Sequence, residues 1–413
     1  MTDNLIQEAT DRARDVLERC LSPMGIRASA QCDGYTEVWA RDSAITLLAL
    51  PRFPRPGRFI DALRRTLSTL ERGMTRLGHV PCCVDTRRVN PTNNMIGSID
   101  SNLWYIIAHG VLFEATGDRR RLARALPSLE RAHLWLQYQD SNDCGLLEHT
   151  ECATWLDLHA NRHTGLCVNV LWMAANRVMA NLLRSLGRRG RIVEEHAARA
   201  RAIRRDLNLM FFPTGEVDLS ALRRRNPEWA MVMERMRVSL WEARWYLPWF
   251  GVRQFAREID VLGNILAVVC GVASRARARM VLDRLMQVGC ETPHPSKAQE
   301  PPTMPGDPEW RDYYLNGNLN LPHQYHNGGI WPFIGGFHVI AEVVAGRRAR
   351  ARELLARLAE ANRLGREGEW EFNEWLHGVT GRPMGVRWQA WSAGMFLAAA
   401  IAVETGKSPL TLG

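Results

Sequence analysis

Apolar residues recur at helical spacing along most of this chain, and convincing strand patterns are few. Breaker segments such as PRFPRPG (51–57), GRRG (187–190) and FPTG (212–215) separate the periodic stretches. The pattern therefore predicts an all-α fold with twelve main helices. They are expected over residues 3–20, 40–50, 58–72, 99–116, 119–138, 166–186, 190–209, 257–273, 275–288, 329–345, 347–363 and 388–404.

Two stretches do not fit this scheme. Residues 217–250 alternate between helical and extended patterns, so they receive no assignment. Residues 291–310 are too proline-rich for a helix and too long for an ordinary connector, and they are expected to form either a lid or a disordered loop. No charge run or linker divides the chain, which favours a single domain over residues 1–413.

Clusters of polar and aromatic residues stand at the start of every second predicted helix. The six clusters are YTEVWARD (35–42), SIDSNLWY (98–105), ATWLDLHANRH (153–163), QFAREIDVLGN (254–264), QYHNGG (324–329) and WEFNEWLHG (370–378). If alternate helices form an outer and an inner ring, every inner helix starts at the same end. The pattern thus predicts an (α/α)6 barrel, a double ring of six helical hairpins, with one concave site at that end.

Each cluster could instead do no more than cap its own helix, as Asp and Asn often do. Asp260, in the fourth cluster, is expected to act in this way rather than to contact a ligand. Capping does not require tryptophan, however, and tryptophans recur in or beside the clusters, at Trp39, Trp104, Trp155, Trp331 and Trp375. This recurrence favours a shared site.

The composition narrows the class of protein. Apolar residues make up 46% of the chain and charged residues 23%, as in ordinary globular proteins. The net charge of +9 comes mostly from arginine, in helical runs such as 120–126 and 346–363 that also carry apolar residues. These runs are expected to be solvated helix faces rather than a nucleic-acid surface.

The cysteines and the apolar stretches of the chain indicate the cellular compartment of the protein. The 9 cysteines include no CxxC pair and leave an odd one over, which indicates reduced thiols rather than a disulfide framework or a zinc site. The start of the chain has acids and no apolar signal segment, and no later stretch of about 18 uncharged apolar residues is found. The sequence predicts a cytoplasmic protein without membrane span, metal or cofactor, and it does not indicate the oligomeric state.

The segment QYHNGGIWPF (324–333) sets amide and imidazole groups beside flat aromatic rings, which suits a sugar ligand. Glycoside hydrolysis needs one protonated carboxyl for the leaving group and a second carboxylate to act on water or as nucleophile. Asp157 beside Trp155 is expected to be poorly solvated, which raises a carboxyl pKa and suits the acid. Glu374 is the candidate base, with Gln389 placed to orient a water.

At these residues the chain resembles two families of glycoside hydrolases. TWLD (154–157), QYHNGGIWP (324–332) and GRPMGVRWQAWSAG (381–394) resemble segments of neutral/alkaline invertases and of the glucosidase domain of glycogen-debranching enzymes. VWARDSAI (38–45) and LDLHANRHTGLCVNVLW (156–172) are more similar to the debranching enzymes. The similar segments span about residues 35–405, with little similarity between them.

The resemblance implies an (α/α)6 barrel that hydrolyses glycosidic bonds with inversion, and carboxyls about 6.5–9.5 Å apart. It gives Asp157 the role of general acid and Glu374 that of base. The implied sugar contacts are Arg41, Asp42, Asp100, His326, Asn327 and Gln389, and the aromatic candidates beside them are Trp39, Trp104, Trp155, Trp331 and Trp391.

The chain departs from both families at Cys167, which stands where their pattern has a sugar-binding glutamate. No glucan-transferase or starch-binding domain fits into 413 residues either. The expected substrate is therefore a small soluble glycoside, such as sucrose or an α-1,6-linked glucoside, rather than glycogen.

Three alternatives remain open. A sugar epimerase or isomerase on the same barrel could use His326, His323 or His159 for proton transfer. A catalytically silent sugar-binding protein would keep the aromatic residues. Within the hydrolase hypothesis, Glu371 is an alternative base to Glu374.

Overall fold

The computed structural model describes residues 2–85, 90–92, 98–214 and 219–412. Fourteen α-helices occur within these ranges. They are α1 (Thr2–Arg19), α2 (Ala40–Thr46), α3 (Gly57–Gly73), α4 (Ile99–Thr116), α5 (Arg119–Gln137), α6 (Leu166–Ser185), α7 (Arg191–Met210), α8 (Ser220–Arg225), α9 (Pro227–Ser239), α10 (Val261–Val269), α11 (Arg275–Gln287), α12 (Pro332–Val344), α13 (Arg348–Arg363) and α14 (Ala390–Thr405). Short 3-10 helices lie at Leu50–Arg52 and Asp312–Asn318.

The strands in the described ranges are two or three residues long and form small antiparallel ladders in the loops. They are β1 (Leu21–Ser22), β2 (Gly25–Ile26), β3 (Val38–Trp39), β4 (Cys83–Asp85), β5 (Asn90–Thr92), β6 (Glu148–His149), β7 (His163–Gly165), β8 (Trp249–Phe250), β9 (Ile259–Asp260), β10 (Gln299–Glu300), β11 (Trp375–Leu376) and β12 (Pro383–Met384). The ladders are β1–β2, β3–β4–β5, β6–β7–β8, β9–β10 and β11–β12. They lead the chain into the inner helices rather than forming a layer of their own.

The helices form two concentric rings. α2, α4, α6, α10, α12 and α14 each pack on the next, and α14 packs back on α2, which closes the inner ring. α1, α3, α5, α7, α11 and α13 pack on the outside of these helices. The prediction of an all-α (α/α)6 barrel is confirmed.

Burial explains why the sequence patterns of the two rings differ. The inner helix α4 is buried along nearly all its length, so it carries apolar residues on every side. The outer helices α5 and α13 bury one stripe and expose arginines on the other side. This arrangement agrees with the expectation that the basic runs are solvated helix faces.

The structure differs from the predicted elements at several places. Helices α8 and α9 lie inside the unassigned stretch 217–250, whose first two residues fall outside the described residues. The helix predicted from 257 begins only at Val261, because residues 259–260 form β9 and Asp260 caps α10. Residues 291–310 form an ordered loop that includes β10, so the disordered-loop alternative is wrong.

Helix α6 is the one helix of the described residues that is long and apolar enough to cross a membrane. It contains Arg177, so it is not an uncharged apolar stretch of the kind that the sequence lacks. In the structure 83% of its most apolar window is buried inside the fold, as its place in the inner ring requires.

Two glycines allow the last inner helix to pack closely on its neighbours. A Cβ at Gly394 of α14 would lie 2.2 Å from the carbonyl oxygen of Thr46 in α2. A Cβ at Gly336 of α12 would lie 2.7 Å from Cβ of Met395 in α14. Both approaches are shorter than real Cβ contacts, so the closure of the ring depends on the absence of a side chain at these positions.

We expect Gly394→Ala to lower the free energy of unfolding by about 1–3 kcal/mol, because the added methyl group separates α14 from α2. Urea or thermal unfolding measures this difference. Gly57→Ala, at the start of α3 where a Cβ meets nothing within 4 Å, is the matched control and should be nearly neutral. Equal stability of the two variants would contradict the proposed role of the close contact.

Candidate active site

The amino-terminal ends of the inner helices meet at one end of the barrel. Arg41, at the start of α2, donates from Nη1 to the Asp100 carboxylate of α4 at 3.1 and 3.3 Å. Phe333 of α12 stacks on Trp391 of α14 with ring centroids 4.2 Å apart. Trp155, in the segment before α6, meets Phe333 edge to face at 5.6 Å. The clusters predicted at alternate helices therefore do lie together, and we call their meeting point the inner-ring site.

Asp157 lies in the loop that leads to β7 and α6. The relative solvent exposure of its side chain is 29%, so solvent reaches the side chain although protein atoms surround it. Burial raises the pKa of Asp157 from 3.8 to about 6; Arg41 opposes the rise, and the charges of Asp100 and Asp42 add to it. The direction agrees with the sequence argument for a carboxyl that keeps its proton towards neutrality.

Glu374 directly precedes β11 and is buried. Its Oε2 accepts the backbone N–H of Val386 at 2.9 Å. Burial raises the pKa of Glu374 from 4.5 to about 7; the Val386 N–H opposes the rise, and the charges of Asp42 and Asp157 add to it. A Cβ at Gly385, whose φ is +68°, would come within 2.4 Å of Oε2, so a glycine is needed for the backbone to approach this carboxylate.

The two carboxyls belong to one electrostatic unit. The charge of Asp157 is among the causes that raise the pKa of Glu374, so the protons of the pair are coupled. The pKa of Glu374 is higher than that of Asp157. This order is opposite to the predicted roles, in which Asp157 is the acid and holds the proton. Between about pH 6 and 7 the pair carries roughly one proton, and one proton is what an acid and base pair requires. Which carboxyl holds it is a property of the pair and its ligand.

Arg41 is buried beside two carboxylates. In addition to Asp100, its Nε lies 3.8 Å from Oδ2 of Asp42. The Ser98 hydroxyl also donates to the Asp100 carboxylate, at 2.5 Å. Oδ2 of Asp42, which is buried, has no hydrogen-bond partner among the described residues. Because an unpaired buried oxygen is costly, this carboxylate is suited to accept a ligand hydroxyl.

Aromatic rings form one wall of the inner-ring site. Trp155 meets His326 and Trp331 edge to face at 5.2 and 5.7 Å, and His326 stacks on Trp331 at 5.3 Å. The indole N–H groups of Trp155 and Trp391 have no partner in the described part of the chain. Trp331, in contrast, donates its N–H to the carbonyl oxygen of Tyr325 at 2.9 Å. The wall thus combines ring faces with free donors, as the sugar hypothesis requires.

His326 stands between this wall and Asp157. Its Nδ1 lies 3.9 Å from Oδ1 of Asp157 and has no hydrogen-bond partner in the described residues. Burial, followed by repulsion from His159 and Arg41, lowers the pKa of His326 well below 6.5. The imidazole is therefore neutral at neutral pH and can hydrogen-bond a ligand without carrying charge.

The two predicted amide contacts differ in the structure. The side chain of Asn327 accepts from Thr303 N at 2.6 Å and donates to the carbonyl oxygens of Thr303 and Asn320. Its amide holds the loop 301–309 in place, so its contacts do not support the prediction that it binds the sugar directly. Gln389, which is buried at the start of α14, has neither its oxygen nor its nitrogen paired within the described residues.

The two remaining tryptophans of the prediction lie on the α2 and α4 side. Trp39 is half-buried just before α2 and meets Tyr35 edge to face at 5.7 Å. Trp104 follows Asp100 by one turn of α4 and is buried in the apolar core. Their role as sugar contacts stays a prediction.

Glu371 does not occupy the same position as Glu374. Its two carboxylate oxygens accept the backbone N–H groups of Arg366 and Glu367 at 3.0 and 2.9 Å. Although burial opposes them, these bonds lower the pKa of Glu371. A carboxylate held in this way stabilises its own loop, and this observation favours Glu374 over Glu371 as the base.

Asp260 and Cys167 lie where α6 and α10 begin. Asp260 accepts the N–H of Gly263 at 2.9 Å and caps α10, as predicted. Cys167, the second residue of α6, is half-buried. Burial, and then the charges of Asp260 and Asp100, raise the pKa of its thiol well above 9.0. A neutral thiol therefore stands where the resemblance led us to expect a carboxylate.

Sequence reasoning missed two tyrosines. Tyr35 hydrogen-bonds Glu374, and the charge of that carboxylate, followed by burial, raises the pKa of the phenol. Burial, and then the charges of Asp157 and Glu374, raise the pKa of Tyr325 well above 10.0. Both residues stand within the clusters YTEVWARD and QYHNGG, so their position was available as a signal. Each is a phenol donor close to both proposed catalytic carboxyls.

A closed double ring of six hairpins with acids, free polar groups and aromatic rings at one end is the architecture of an (α/α)6 glycoside hydrolase. The family comparison agrees, since residues 35–392 match the model of the mannosylglycerate hydrolase MGH1-like glycoside hydrolase domain. The chain belongs to this family, and it is an O-glycosyl hydrolase. A comparison with curated protein sequences gives no match.

Solved structures of several glycosidases share the fold. A GH63 mannosylglycerate hydrolase from Thermus thermophilus, in complex with Tris and D-glycerate, is 16% identical with a TM-score of 0.68, over 94% of this chain and 99% of that one. A Klebsiella oxytoca rhamnosidase with bound rhamnose is 12% identical with a TM-score of 0.63, over 97% and 65% of the two chains. A bacterial glucoamylase complexed with acarbose is 14% identical with a TM-score of 0.65, over 97% and 56%.

These findings confirm the broader resemblance to (α/α)6 glycoside hydrolases. The narrower resemblance to neutral/alkaline invertases and debranching glucosidases is not specifically confirmed, because the matching family is a different one. The assignment as a hydrolase replaces the alternatives of an epimerase and a silent binding protein. Among the described residues, no group of three or more His, Cys, Asp and Glu side chains is placed to hold a metal ion.

The raised pKa of Glu374 lowers the free energy of unfolding when this carboxyl is ionised. Because this pKa is higher in the folded chain than in the unfolded chain, folding carries no penalty below about pH 4.5, and the full penalty above about pH 7. We expect Glu374→Gln to stabilise the protein at pH 8 relative to wild type by up to about 3 kcal/mol, and much less at pH 4.5.

Unfolding by urea at the two pH values measures the effect. Glu130→Gln, at an exposed position of α5, is the control and should show no such dependence. If Glu374→Gln were equally stable or less stable than wild type at pH 8, Glu374 would not be held in a desolvating environment.

Proposed function

We propose that this enzyme hydrolyses a small soluble glycoside of the mannosylglycerate type, in which a sugar is joined to a small hydroxy acid, and that it does so with inversion. The observation that carries the proposal is the pair Asp157 and Glu374, two carboxyls of raised pKa coupled in one site. The family supports the substrate class, and the Thermus thermophilus hydrolase was solved with D-glycerate. Sucrose, which the invertase resemblance suggested, is the less supported substrate.

In the proposed reaction Asp157 gives its proton to the glycosidic oxygen as the bond from that oxygen to the anomeric carbon breaks. Its side chain is 29% exposed, so a leaving group can reach it from solvent. A water attacks the anomeric carbon from the opposite side, and Glu374 takes the proton that this water loses. The products are a free sugar of inverted configuration and the hydroxy acid.

The surrounding groups hold this geometry. The Val386 N–H and the Tyr35 phenol fix the Glu374 carboxylate, so that its remaining lone pairs can accept a proton from the water. Asp42 and the unpaired amide of Gln389 are proposed to bind sugar hydroxyls. Arg41, which is paired with Asp100, provides the positive charge that limits the pKa of Asp157.

The neutral state of His326 fits this mechanism. An imidazolium beside Asp157 would favour the ionised carboxylate and remove the acid. Burial prevents that protonation, and Nδ1 stays free for a hydroxyl group of the sugar. The ring faces of Trp155 and Trp391 provide the apolar surface against which C–H groups of the sugar pack.

We expect Asp157→Asn and Glu374→Gln each to lower the turnover of the preferred substrate by about 10²- to 10⁴-fold, because each removes one partner of the proton transfer. Product analysis by chromatography, with mannosylglycerate, glucosylglycerate, sucrose and isomaltose as substrates, measures both activity and specificity. The two glycerate conjugates should be cleaved in preference to sucrose and isomaltose.

Glu371→Gln is the matched control, since it alters a carboxyl of the same loop that binds backbone N–H groups. Its turnover should stay close to that of wild type. If Glu371→Gln were inactive and Glu374→Gln active, the base would be Glu371. Preferential cleavage of sucrose would overturn the substrate class but leave the hydrolase assignment in place.

A further inference from the structure

A groove of about 480 Å³ lies between the loop that joins β8 to β9 and the loop 301–309. Its volume falls within the usual range of small-molecule sites. The side chains that line it include three arginines and three acids: Arg235, Arg253, Arg257, Glu258, Asp307 and Glu309. None of the polar residues assigned to the sugar in the proposed mechanism lines this groove.

The three arginines have no carboxylate partner among the described residues. Arg235 comes from α9 and donates to the carbonyl oxygen of Arg253 at 3.3 Å, while Arg257 lies 5.6 Å from the ring centroid of Phe255. Neighbouring Arg162, in contrast, is paired with Glu309 at 2.6 Å. Although three acids also line the groove, Glu309 is taken up by Arg162, and the three arginines keep their guanidinium groups free of ion pairs within the described part of the chain. Such groups can bind an anion, because guanidinium matches carboxylate and phosphate in geometry.

The remaining surfaces of the groove suit the rest of a carbohydrate. Phe255, Pro301 and Pro302 provide apolar faces for C–H groups. Glu258 and Asp307 also line the groove and provide acceptors for hydroxyl groups. The lining therefore combines guanidinium donors, carboxylate acceptors and apolar faces, and one small ligand with an anionic group and several hydroxyls fits all three.

The groove is distinct from the inner-ring site but shares a wall with it. Thr303 lines the groove, and its backbone is held on both sides by the amide of Asn327. The residue before Asn327 is His326, which faces Asp157. The loop 301–309 thus separates the two concavities.

We infer that this groove is a second binding site, which takes a small carbohydrate bearing a carboxylate or a phosphate group. The anionic group lies against Arg253 and Arg257, and the sugar ring lies on Phe255 and the two prolines. The inference does not depend on the hydrolytic mechanism, because the lining residues take no part in that chemistry.

Isothermal titration calorimetry of the intact chain tests the inference with glucose 6-phosphate, glucuronate and neutral glucose, none of which contains a glycosidic bond. The two anions should bind more tightly than glucose, and Arg253→Gln or Arg257→Gln should weaken their binding by about 10- to 100-fold each. A higher affinity for one anion identifies the group as phosphate or carboxylate. Glycoside hydrolysis should be unchanged in both variants.

Arg188→Gln, at an exposed arginine outside the groove, is the control and should bind both anions as wild type does. Raising the salt concentration should weaken the binding of the anions and not that of glucose. The inference is overturned if the two groove variants bind the anions with wild-type affinity, if glucose binds as tightly as the anions, or if Arg188→Gln shows the same loss. An absence of glycoside hydrolysis with intact anion binding would contradict the proposed function and leave the second binding site in place.

Discussion

The contact of α14 with α2 closes the inner ring, and the inner-ring site depends on this closure. Asp157 precedes the third inner helix and Glu374 precedes the last, so no local segment of the chain could bring them together. Closure requires backbones to approach more closely than a side chain permits, as Gly394 and Gly336 show. The apolar residues on all sides of the inner helices stabilise the ring, and the polar clusters are confined to its end.

The same burial that stabilises the barrel sets the chemistry of its carboxyls. Desolvation is the largest cause of the raised pKa values of Asp42, Asp157 and Glu374. Arg41 is the positive charge that limits this effect at Asp42 and Asp157, and it is itself fixed by Asp100. Acids placed close together in a poorly solvated site raise one another's pKa, so the pair Asp157 and Glu374 still holds roughly one proton between about pH 6 and 7. This protonation is a consequence of the fold and not of any single residue.

The sequence was sufficient to predict the ring architecture, because polar and aromatic clusters recur at every second helix, and a double ring of hairpins brings such clusters to one end. It also located the residues that meet at the inner-ring site, since each cluster lies at the start of an inner helix or in the segment that leads to it. The contacts inside the site were less predictable. Asn327 lies in the right cluster, yet its amide is bonded to the backbone of a loop that approaches it from elsewhere in the chain. Tyr35 and Tyr325 approach both carboxyls only through tertiary packing, and α8 and α9 have no clear periodicity in the sequence.

The central claim is that Asp157 and Glu374 act on opposite faces of one sugar, with a water between Glu374 and the anomeric carbon. Proton NMR of the first-formed sugar, recorded during hydrolysis of a glycoside of known anomeric configuration, tests this claim most directly. With an inverting mechanism, the anomer opposite to that of the substrate appears first and then mutarotates. A first product with the configuration of the substrate would show a covalent intermediate and would contradict the assignment of Glu374 as a base that acts on water.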